Sequence, residues 1–442
     1  MLHDKKRIKN RDIYLNRLVA FKDKEPVKII TGIRRCGKSS LMKLMINHLI
    51  DNGVLHEQII EINFESMEFN NMNAVMLYQY IKKRLPTQMR AYLFFDEVQR
   101  VDMWQDAVNS FRVDFDCDIY ITGSNAHLLS SEYATYLAGR YIEIKMFPLS
   151  FSEFLDFYGY TVIYANSPAG GVRLLAADDA GERYDTQELL AAYIKFGGMP
   201  GIADVGLVTD KALILLDGIY STIVVRDIME REKRKGMRNI TDSNLLRKII
   251  LFLADNIGNN TSMNSIGNIL FNEKLLSHNR KKSKPAVQTI QAYVGALLES
   301  FVFYDIKRFD IKGKGYLRTL GKYYIADIGL RNYLLGFRDM DIGHIIENIV
   351  YFELLRLGYD VAIGKVGDME IDFIATNAHN KIYIQVTESM NEPATREREF
   401  APLRMVPDNY EKLVIASRCD NPMTHDGIKI VMLINFLLDK QI

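Results

Sequence analysis

The sequence contains few of the residues that characterise secreted or membrane-spanning proteins. Its 442 residues include only three cysteines, which are widely separated at positions 36, 117 and 419. An odd and scattered set forms neither a disulfide framework nor a cysteine-based metal site, and it is typical of a reducing compartment. The start of the chain is polar and basic, unlike a signal peptide, and no apolar run is long enough to cross a bilayer. We therefore expect a cytoplasmic protein without a membrane partner.

The chain also has almost no net charge. Lysine and arginine number 56 and aspartate and glutamate 55, which leaves a formal charge of +1. The overall charge therefore predicts nothing about nucleic acid, and only local clusters can do so. The hydrophobic share of 48% and the charged share of 25% are ordinary for a globular protein. The length suggests about three domains.

The most informative stretch is a glycine-containing loop between two apolar segments. Residues 32–39 read Gly-Ile-Arg-Arg-Cys-Gly-Lys-Ser and match the pattern G-x-x-x-x-G-K-S/T. Ile29 and Ile30 precede the loop as the end of a strand, and an apolar helical pattern follows from Leu41. A strand, such a loop and a helix together are the context of a phosphate-binding loop.

The loop predicts the residues that bind a nucleotide. Gly32 and Gly37 let backbone N–H groups converge on one point, where the helix N-terminus adds its positive dipole. We expect Lys38 to reach the β- and γ-phosphates of ATP and the Ser39 hydroxyl to hold Mg²⁺. The predicted nucleotide-binding residues are Gly32, Ile33, Arg34, Arg35, Cys36, Gly37, Lys38, Ser39 and Ser40.

Two adjacent carboxylates suggest hydrolysis. Asp96 and Glu97 follow four large apolar residues, 92–95, which are typical of a strand buried on both faces of a parallel sheet. Asp96 at the strand end can hold Mg²⁺ from the side opposite Ser39, and Glu97 can polarise an attacking water as general base. Their position after a phosphate loop favours this interpretation over an ordinary acidic strand end.

Two further predicted strands carry polar or basic residues at one end. The strand in 118–125 ends in Gly-Ser-Asn, so Ser124 or Asn125 can contact the γ-phosphate or the water, although these residue types also favour turns. Arg140 precedes the strand 141–146 and can stabilise charge on the γ-phosphate in its own subunit or a neighbour, or form a surface ion pair. The residues alone leave these alternatives open.

Five motifs between residues 26 and 155 resemble the AAA+ ATPases of bacteria and archaea, in a branch with a distinctive C-terminal region. The motifs are 31–39, 95–99, 121–124, 137–140 and 147–154. The resemblance implies a five-stranded parallel sheet with helices on both faces and ATP at its C-terminal edge. The implied roles are nucleotide and Mg²⁺ for Lys38 and Ser39, Mg²⁺ and water for Asp96 and Glu97, sensor for Ser124, and a finger acting on the neighbour in a homo-oligomer for Arg140.

The middle of the chain changes character twice. Residues 162–186 show no sustained period and predict a mobile loop or insertion. Helical patterns cover 187–196 and about 210–229. In the same family a Phe-Gly-Gly-x-Pro stretch and an Arg-Asp pair mark this region, which correspond here to 196–200 and 226–227.

Three helical patterns between 241 and 298 and two β-like runs, 301–309 and 322–326, predict a winged helix. Its third helix would present Gln288, Thr289 and Gln291. The basic residues nearby are Arg280, Lys281, Lys282, Lys284, Lys307, Arg308, Lys312, Lys314, Arg318 and Lys322. They predict a contact with double-stranded DNA, and the alternative is a protein-docking module with a solvated basic rim.

The C-terminal region resembles the PD-(D/E)xK nuclease fold. Glu347 lies in a helical pattern and Asp372 in a strand, and a further strand follows about a dozen residues later. In active members that strand carries Glu-x-Lys, but here the positions read Gln385 and Thr387. An amide is a poor Mg²⁺ ligand and threonine cannot supply a positive charge. We therefore expect a degenerate domain without nuclease activity.

Together these observations predict an α/β ATPase that couples Mg-ATP hydrolysis to movement of its C-terminal region. The alternatives are a nucleotide-switched DNA-binding regulator, a metal-dependent nuclease, and a protein-interaction ATPase without nucleic acid. The expected domains are a P-loop AAA+-like core at 1–160, a helical lid or linker at 187–238, a winged helix at 239–335 and a restriction-endonuclease-like α/β domain at 340–442.

Overall fold

The fold is that of a computed structural model, which describes most of the chain. The described residues are 8–126, 139–166, 172–230, 240–272, 285–313, 315–338, 341–420 and 424–438. The chain forms two compact units. The first comprises Met1–Met146 with Glu299–Phe301, and the second comprises Phe147–Leu298 with Val302–Ile442.

The first unit is built on a parallel sheet. Its strands are β1 (Val27–Thr31), β2 (Ile59–Asn63), β3 (Ala91–Asp96), β4 (Cys117–Gly123) and β5 (Tyr141–Lys145). Its helices are α1 (Asp12–Ala20), α2 (Lys38–Asp51), α3 (Ala74–Lys82) and α4 (Trp104–Asp114). The strand order is β2-β3-β4-β1-β5, and every pair is parallel. The predicted five-stranded parallel sheet is confirmed.

Apolar side chains on both faces of β3 explain why it lies inside the sheet. All six of its residues are buried. On one face Leu93 and Phe95 pack in a core with Leu77 of α3 and Phe111 of α4. On the other face Phe94 stacks on the ring of Tyr120 in β4, with centroids 4.6 Å apart. Because both faces are covered, the strand needs the continuous apolar run that the sequence shows.

The second unit begins with α5 (Phe151–Phe157), whose Ser150 and Glu153 form a capping box. Its helices continue as α6 (Thr186–Phe196), α7 (Pro200–Val205), α8 (Thr209–Thr222), α9 (Ser243–Asp255), α10 (Met263–Asn272), α11 (Val287–Glu299), α12 (Ile328–Leu335), α13 (Ile342–Arg356), α14 (Pro393–Arg404) and α15 (Leu433–Leu438). A π-helix, Ile223–Glu230, follows α8 directly.

Of the two alternatives predicted for 162–186, a mobile loop or an insertion, the loop is wrong for the described residues, 162–166 and 172–186. Three antiparallel strands lie there, β6 (Thr161–Asn166), β7 (Val172–Ala177) and β8 (Arg183–Asp185). Asp178 closes the turn between β7 and β8, because its carboxylate accepts the backbone N–H groups of Ala180 and Glu182, each at 3.0 Å. Small and charged residues obscure the alternation of apolar and polar side chains that is typical of strands. The turn residues that fix the ends of these strands were not recognised in the sequence.

The predicted wing belongs to a larger sheet. Its strands β9 (Phe303–Asp310) and β10 (Gly315–Ile325) form an antiparallel hairpin. The sheet continues with β11 (Asp360–Val366), β12 (Met369–Thr376), β13 (Lys381–Ser389), β14 (Glu411–Arg418) and β15 (Ile428–Met432), in the order β10-β9-β11-β12-β13-β14-β15. Since β9 pairs in parallel with β11, the winged-helix and nuclease-like predictions concern one continuous sheet.

Candidate active site

Glycine conformations shape the loop after β1. Gly32 has a φ of +146° and Gly37 a φ of +106°, a region that disfavours residues with a side chain. A Cβ atom on Gly32 would also lie 2.1 Å from the carbonyl oxygen of Met146. Gly37 is the N-cap of α2, which begins at Lys38. The loop therefore turns from strand to helix where its sequence motif predicts.

The loop residues divide into buried anchors and exposed groups. Ile33 and Cys36 are fully buried, so they can contribute to nucleotide binding only through their backbone. Lys38 is 5% exposed, and its Nζ donates to the carbonyl oxygens of Gly32 at 2.9 Å and Ile33 at 3.1 Å. The side chains of Arg35, Ser39 and Ser40 are exposed. The ammonium of Lys38 thus lies within the loop that its motif assigns to phosphates.

Arg34 takes part in an ion pair beside the loop. Its Nη2 lies 2.6 Å from Oε1 of Glu65, and Nη2 of Arg100 lies 3.5 Å from the same oxygen. Glu65 follows β2, and Arg100 follows Glu97 by three residues. This carboxylate therefore links the phosphate loop to the segment that carries the predicted general base.

Asp96 ends β3 at the sheet edge where the phosphate loop follows β1. The strand order places the carboxyl ends of β2, β3, β4 and β1 side by side along this edge. Asp96 is 6% exposed, and its Oδ1 accepts a very short hydrogen bond from the Thr122 hydroxyl. Asn63 at the end of β2 donates to its Oδ2 at 3.3 Å. Thr122 and Asn63 fix the direction of this carboxylate.

Glu97 has a left-handed backbone, with a φ of +56°. Its backbone N–H donates to the Thr122 hydroxyl oxygen at 3.0 Å. Its Oε2 accepts hydrogen bonds from the Ser124 hydroxyl at 3.2 Å and from the side-chain amide of Gln99. The structure therefore places Ser124 within hydrogen-bond distance of the predicted general base. Asn125, the next residue along the chain, is buried.

Sequence reasoning assigned no role to three residues of this arrangement: Asn63, Gln99 and Thr122. Two of them had a usable signal. Thr122 lies two residues before Ser124, so along an extended chain the two side chains share a face. Asn63 is the polar residue that ends β2, as Asp96 ends β3, and the two are register partners.

Arg140 lies elsewhere in the first unit. Its backbone carbonyl accepts the Val27 N–H at 3.0 Å, at the start of β1, and its side chain is exposed. It precedes β5 at the edge opposite to the phosphate loop. A strand of five residues spans about 16 Å, so this position argues against a contact with phosphates of the same chain. The role in a neighbouring subunit stays a prediction, and 127–138 before it are outside the described residues.

The larger sheet of the second unit holds a buried ion cluster around Lys322 of β10. Its Nζ lies 3.0 Å from Glu347 and 2.8 Å from Glu370, and the residue is 4% exposed. Tyr324 donates to Glu347 at 2.5 Å. Burial alone would lower the pKa of Lys322, but Glu347, Asp372 and Glu370 raise it. The prediction that Lys322 offers a phosphate contact is wrong, because partners distant in sequence bury it.

Asp372 and Gln385 are linked by hydrogen bonds between β12 and β13. Asp372 accepts the Val386 N–H at 2.8 Å, and Gln385 accepts the Asp372 N–H at 2.8 Å. Gln385 also donates to Glu399 of α14 at 3.1 Å. Burial and the nearby Glu347 charge raise the pKa of Asp372 well above its usual value. Over the described ranges, no group of three or more acidic, histidine or cysteine side chains is placed to hold a metal ion.

Comparison with known proteins places these sites in a family. Residues 24–155 match a family described as an AAA domain, and residues 187–341 match a domain of unknown function. A Haemophilus influenzae protein, described as uncharacterised, is 38% identical over 433 residues, which are 97% of this chain and 98% of that protein. An uncharacterised protein of Methanocaldococcus jannaschii is 32% identical over 427 residues, 94% of this chain and 84% of that protein. The chain belongs to the same family as these two proteins.

Its AAA domain contains the phosphate loop, Asp96, Glu97 and Arg140, so the first unit carries an ATP-binding ATPase domain. Among solved structures, a Walker-type ATPase of Pyrococcus abyssi is 15% identical with a TM-score of 0.47, covering 74% of this chain and 95% of that one. The Cdc6p protein of Pyrobaculum aerophilum is 12% identical with a TM-score of 0.30, covering 78% and 96%. Both TM-scores are below 0.5, and neither likeness carries weight here.

None of the helices, over the residues that the structure covers, combines enough length with enough apolar character to cross a bilayer.

Proposed function

We propose that this protein hydrolyses ATP with Mg²⁺ at the carboxyl edge of its parallel sheet. The supporting observation is the convergence there of the phosphate loop, Asp96 and Glu97, with Thr122 and Ser124 joining the two carboxylates. Lys38 and the loop amides would bind the β- and γ-phosphates, as a cation and a helix N-terminus do for polyphosphates.

The side chains at this edge suit a magnesium ion. Mg²⁺ keeps most of its waters and takes one or two oxygen ligands from the protein, which the exposed hydroxyl of Ser39 and the carboxylate of Asp96 can supply. The ion would offset the charge that develops on the phosphates. Glu97 would accept the proton of the attacking water, and Ser124 would orient Glu97 through their hydrogen bond.

The central experiment is ATP turnover by the purified protein with Mg²⁺, alongside nucleotide binding by a Lys38→Ala variant. We expect turnover in the wild type and at least about a 100-fold weaker nucleotide affinity in the variant, since a buried charged donor to phosphate is lost. Lys43→Ala removes an exposed lysine from the same helix and should bind nucleotide as the wild type does. Absence of turnover in every condition, including added DNA, would refute the ATPase proposal.

Arg140 would act on a neighbouring subunit. Arg140 precedes β5, at the sheet edge opposite to the phosphate loop of its own chain, and its side chain is exposed. These two features suit a contact with the nucleotide of a neighbouring subunit better than one with the nucleotide of its own chain. Turnover per subunit should then rise with protein concentration. Mixing Arg140→Ala with Glu97→Gln subunits should restore part of the activity that each lacks alone. Concentration-independent turnover together with normal activity of Arg140→Ala would contradict this role.

We further propose that the nucleotide state changes the second unit, which carries the predicted lid, winged helix and nuclease-like region. Hydrogen exchange with ADP and with a non-hydrolysable ATP analogue tests this directly. The exchange rates of the amides in α9 to α13 should differ between the two nucleotide states in the wild type and not in Lys38→Ala. Identical rates in both states would reject the coupling.

Besides ATP, double-stranded DNA is a candidate binding partner of this protein. The side chains of Gln288 and Gln291 on α11 and of Lys307 and Lys312 at the hairpin are exposed, as a groove-binding helix and its wing require. Affinity for duplex DNA should fall with rising salt, and a Lys307→Ala, Lys312→Ala double variant should show a shallower dependence. Binding that is absent at low salt would favour the protein-docking alternative.

A further inference from the structure

Arg11 contacts the phosphate loop although it lies outside the segment that matches the AAA family. It is the N-cap of α1, and only 3% of its surface is exposed. Its Nη1 donates to the carbonyl oxygen of Cys36 at 3.0 Å. Its guanidinium carbon lies 4.7 Å from the centroid of the Tyr14 ring, which is fully buried. The cation is therefore held between an aromatic ring and the backbone of the loop.

The geometry of the peptide bond gives this contact a consequence for nucleotide binding. The bond between Cys36 and Gly37 is trans, so its N–H points away from its C=O. Because Arg11 binds the carbonyl, the Gly37 N–H has to face the opposite side. Gly37 is the N-cap of α2, where N–H groups lack partners within the helix and are available to an anion.

The orientation of the Cys36–Gly37 peptide depends on such a contact from outside the loop. Gly37 has no side chain, and its backbone rotates more freely than that of other residues. The thiol of Cys36 donates to the Met146 carbonyl at 3.5 Å, which anchors the side chain of Cys36 and leaves its carbonyl to Arg11. The guanidinium is also close to the loop, since a Cβ on Gly37 would lie 4.0 Å from Nη1. A buried cation at this distance adds attraction for a polyphosphate.

We propose that Arg11 is a positioning residue of the nucleotide site: it holds the Cys36 carbonyl so that the Gly37 N–H faces the phosphates. This inference rests on the proposed ATPase function and extends the site to a residue that precedes the AAA match. Arg11 acts through the loop and does not touch the nucleotide. Its effect should therefore be similar for ADP and ATP, because both carry the phosphates nearest to the loop.

The test compares Arg11→Met with Arg11→Lys by measuring the Kd of fluorescent ADP and ATP analogues in the full-length protein. Arg11→Met keeps the stem but removes the donors and the charge, so we expect the Kd of both nucleotides to rise about tenfold, the worth of one charge-assisted hydrogen bond. Arg11→Lys keeps the charge but lacks the planar set of N–H donors of the guanidinium, and it should raise the Kd about threefold. This partial rescue is the signature of a positioning role.

Three controls separate the possible failures. Arg17→Met removes the same kind of cation from the same helix, and we expect an unchanged Kd. The wild type and Lys38→Ala report on the proposed function itself: if the wild type binds no nucleotide, that function fails and not only the role of Arg11. All Kd values are measured well below the unfolding temperature, where a merely structural Arg11 would lower stability and leave the Kd unchanged. An unchanged Kd in both Arg11 variants, or in Arg11→Lys alone if Arg11→Met does not fold, would overturn the inference.

Discussion

Among single residues, Glu97 has the environment that most directly separates binding from hydrolysis. Its carboxylate accepts hydrogen bonds from Ser124 and Gln99, both of which lie outside the loop that would bind the phosphates. Removing its charge should therefore leave the phosphate loop intact. The neighbouring Asp96 differs, because Thr122 and Asn63 hold it at the end of its strand. Adjacent carboxylates thus have distinct surroundings and separable roles.

Glu97→Gln should bind ATP as the wild type does and lose hydrolysis. The amide keeps the shape of the side chain but cannot accept a proton from water, so we expect kcat to fall at least about 100-fold. The measurements are ATP turnover and the Kd of a fluorescent ATP analogue. Glu61→Gln changes an exposed glutamate of β2 and serves as the matched control. Normal turnover by Glu97→Gln would remove it from the mechanism.

Lys28 is a second residue whose environment makes a sharp prediction. It is fully buried in β1, and its Nζ lies 2.5 Å from Oδ1 of Asp118, which is 1% exposed. Burial lowers the pKa of Lys28, although Asp118 opposes this shift. Asp118 also accepts the Asp23 N–H and the Tyr120 hydroxyl, each at 2.9 Å. Lys28, Asp118 and Tyr120 are all buried, so water solvates the charges of this network poorly.

Lys28→Met should lower the free energy of unfolding of the first unit by about 3–5 kcal/mol, because it leaves the Asp118 charge buried without a cation. Urea unfolding followed by the fluorescence of Trp104, the single tryptophan, reports on this unit. Glu25→Gln breaks the pair of Arg112 with Glu25, whose side chain is 75% exposed, and should cost less than about 1 kcal/mol. Equal costs for both variants would mean that the buried pair is no stronger than a surface pair.

At the scale of elements, the Phe-Gly-Gly-Met-Pro segment at 196–200 has a packing role. Asp327, the N-cap of α12, accepts the Gly198 N–H at 2.7 Å and the Leu330 N–H at 3.0 Å. The backbone of α12 also approaches the end of α6 closely: a Cβ on Gly329 would lie 2.0 Å from the Phe196 carbonyl oxygen. The glycines of this segment and of α12 therefore allow α6 and α12 to touch through their backbones.

Gly329→Ala should separate these helices and lower the free energy of unfolding of the second unit by about 2–3 kcal/mol, the cost of an overpacked contact. Gly343→Ala in α13 is the matched control, because a Cβ there meets no atom within 4 Å. A helix gains from alanine, so this variant should be unchanged or more stable by up to about 1 kcal/mol. Pulse proteolysis in urea compares the two variants, and similar stabilities would show that α6 and α12 can move apart without cost.

For the whole molecule, the free energy of unfolding should depend on pH through the titration of the buried Asp327. Burial raises the pKa of Asp327 to about 6, against the opposing effect of the N–H groups that it accepts. A carboxyl with a raised pKa in the folded state stabilises most below its unfolded pKa of about 4. That contribution is lost as the pH rises through about 6.

Relative to Asp327→Asn, which cannot titrate, the wild type should therefore lose up to about 3 kcal/mol of stability between pH 4 and pH 7. Urea unfolding of both proteins across this range, followed by circular dichroism, gives the difference at each pH. Because both proteins share every other titrating group, only Asp327 contributes to the change. A difference that stays constant with pH, or that grows in the opposite direction, would contradict the raised pKa.

Much of the AAA domain was predictable because its signals are contiguous in the chain. The phosphate loop, the apolar run of β3 and the order of strands and helices are local patterns, and they specified the parallel sheet and the edge at which Lys38 and Asp96 lie. The segment 162–186 was not predictable in the same way. Its strands β7 and β8 are joined by a turn that Asp178 closes, and a search for a sustained period does not detect such a turn.

The sequence by itself therefore determined the class of chemistry, since a phosphate loop followed by paired acids needs no distant partner to be recognised. The tertiary structure decided which residues support that chemistry. Thr122 meets Asp96 and Glu97 because β3 and β4 are neighbours, and Arg11 reaches Cys36 from the start of α1. Folding also buried Lys322 among acids instead of leaving it on a basic surface. These partners are far apart in the chain, and only strand order and helix packing bring them within hydrogen-bond distance.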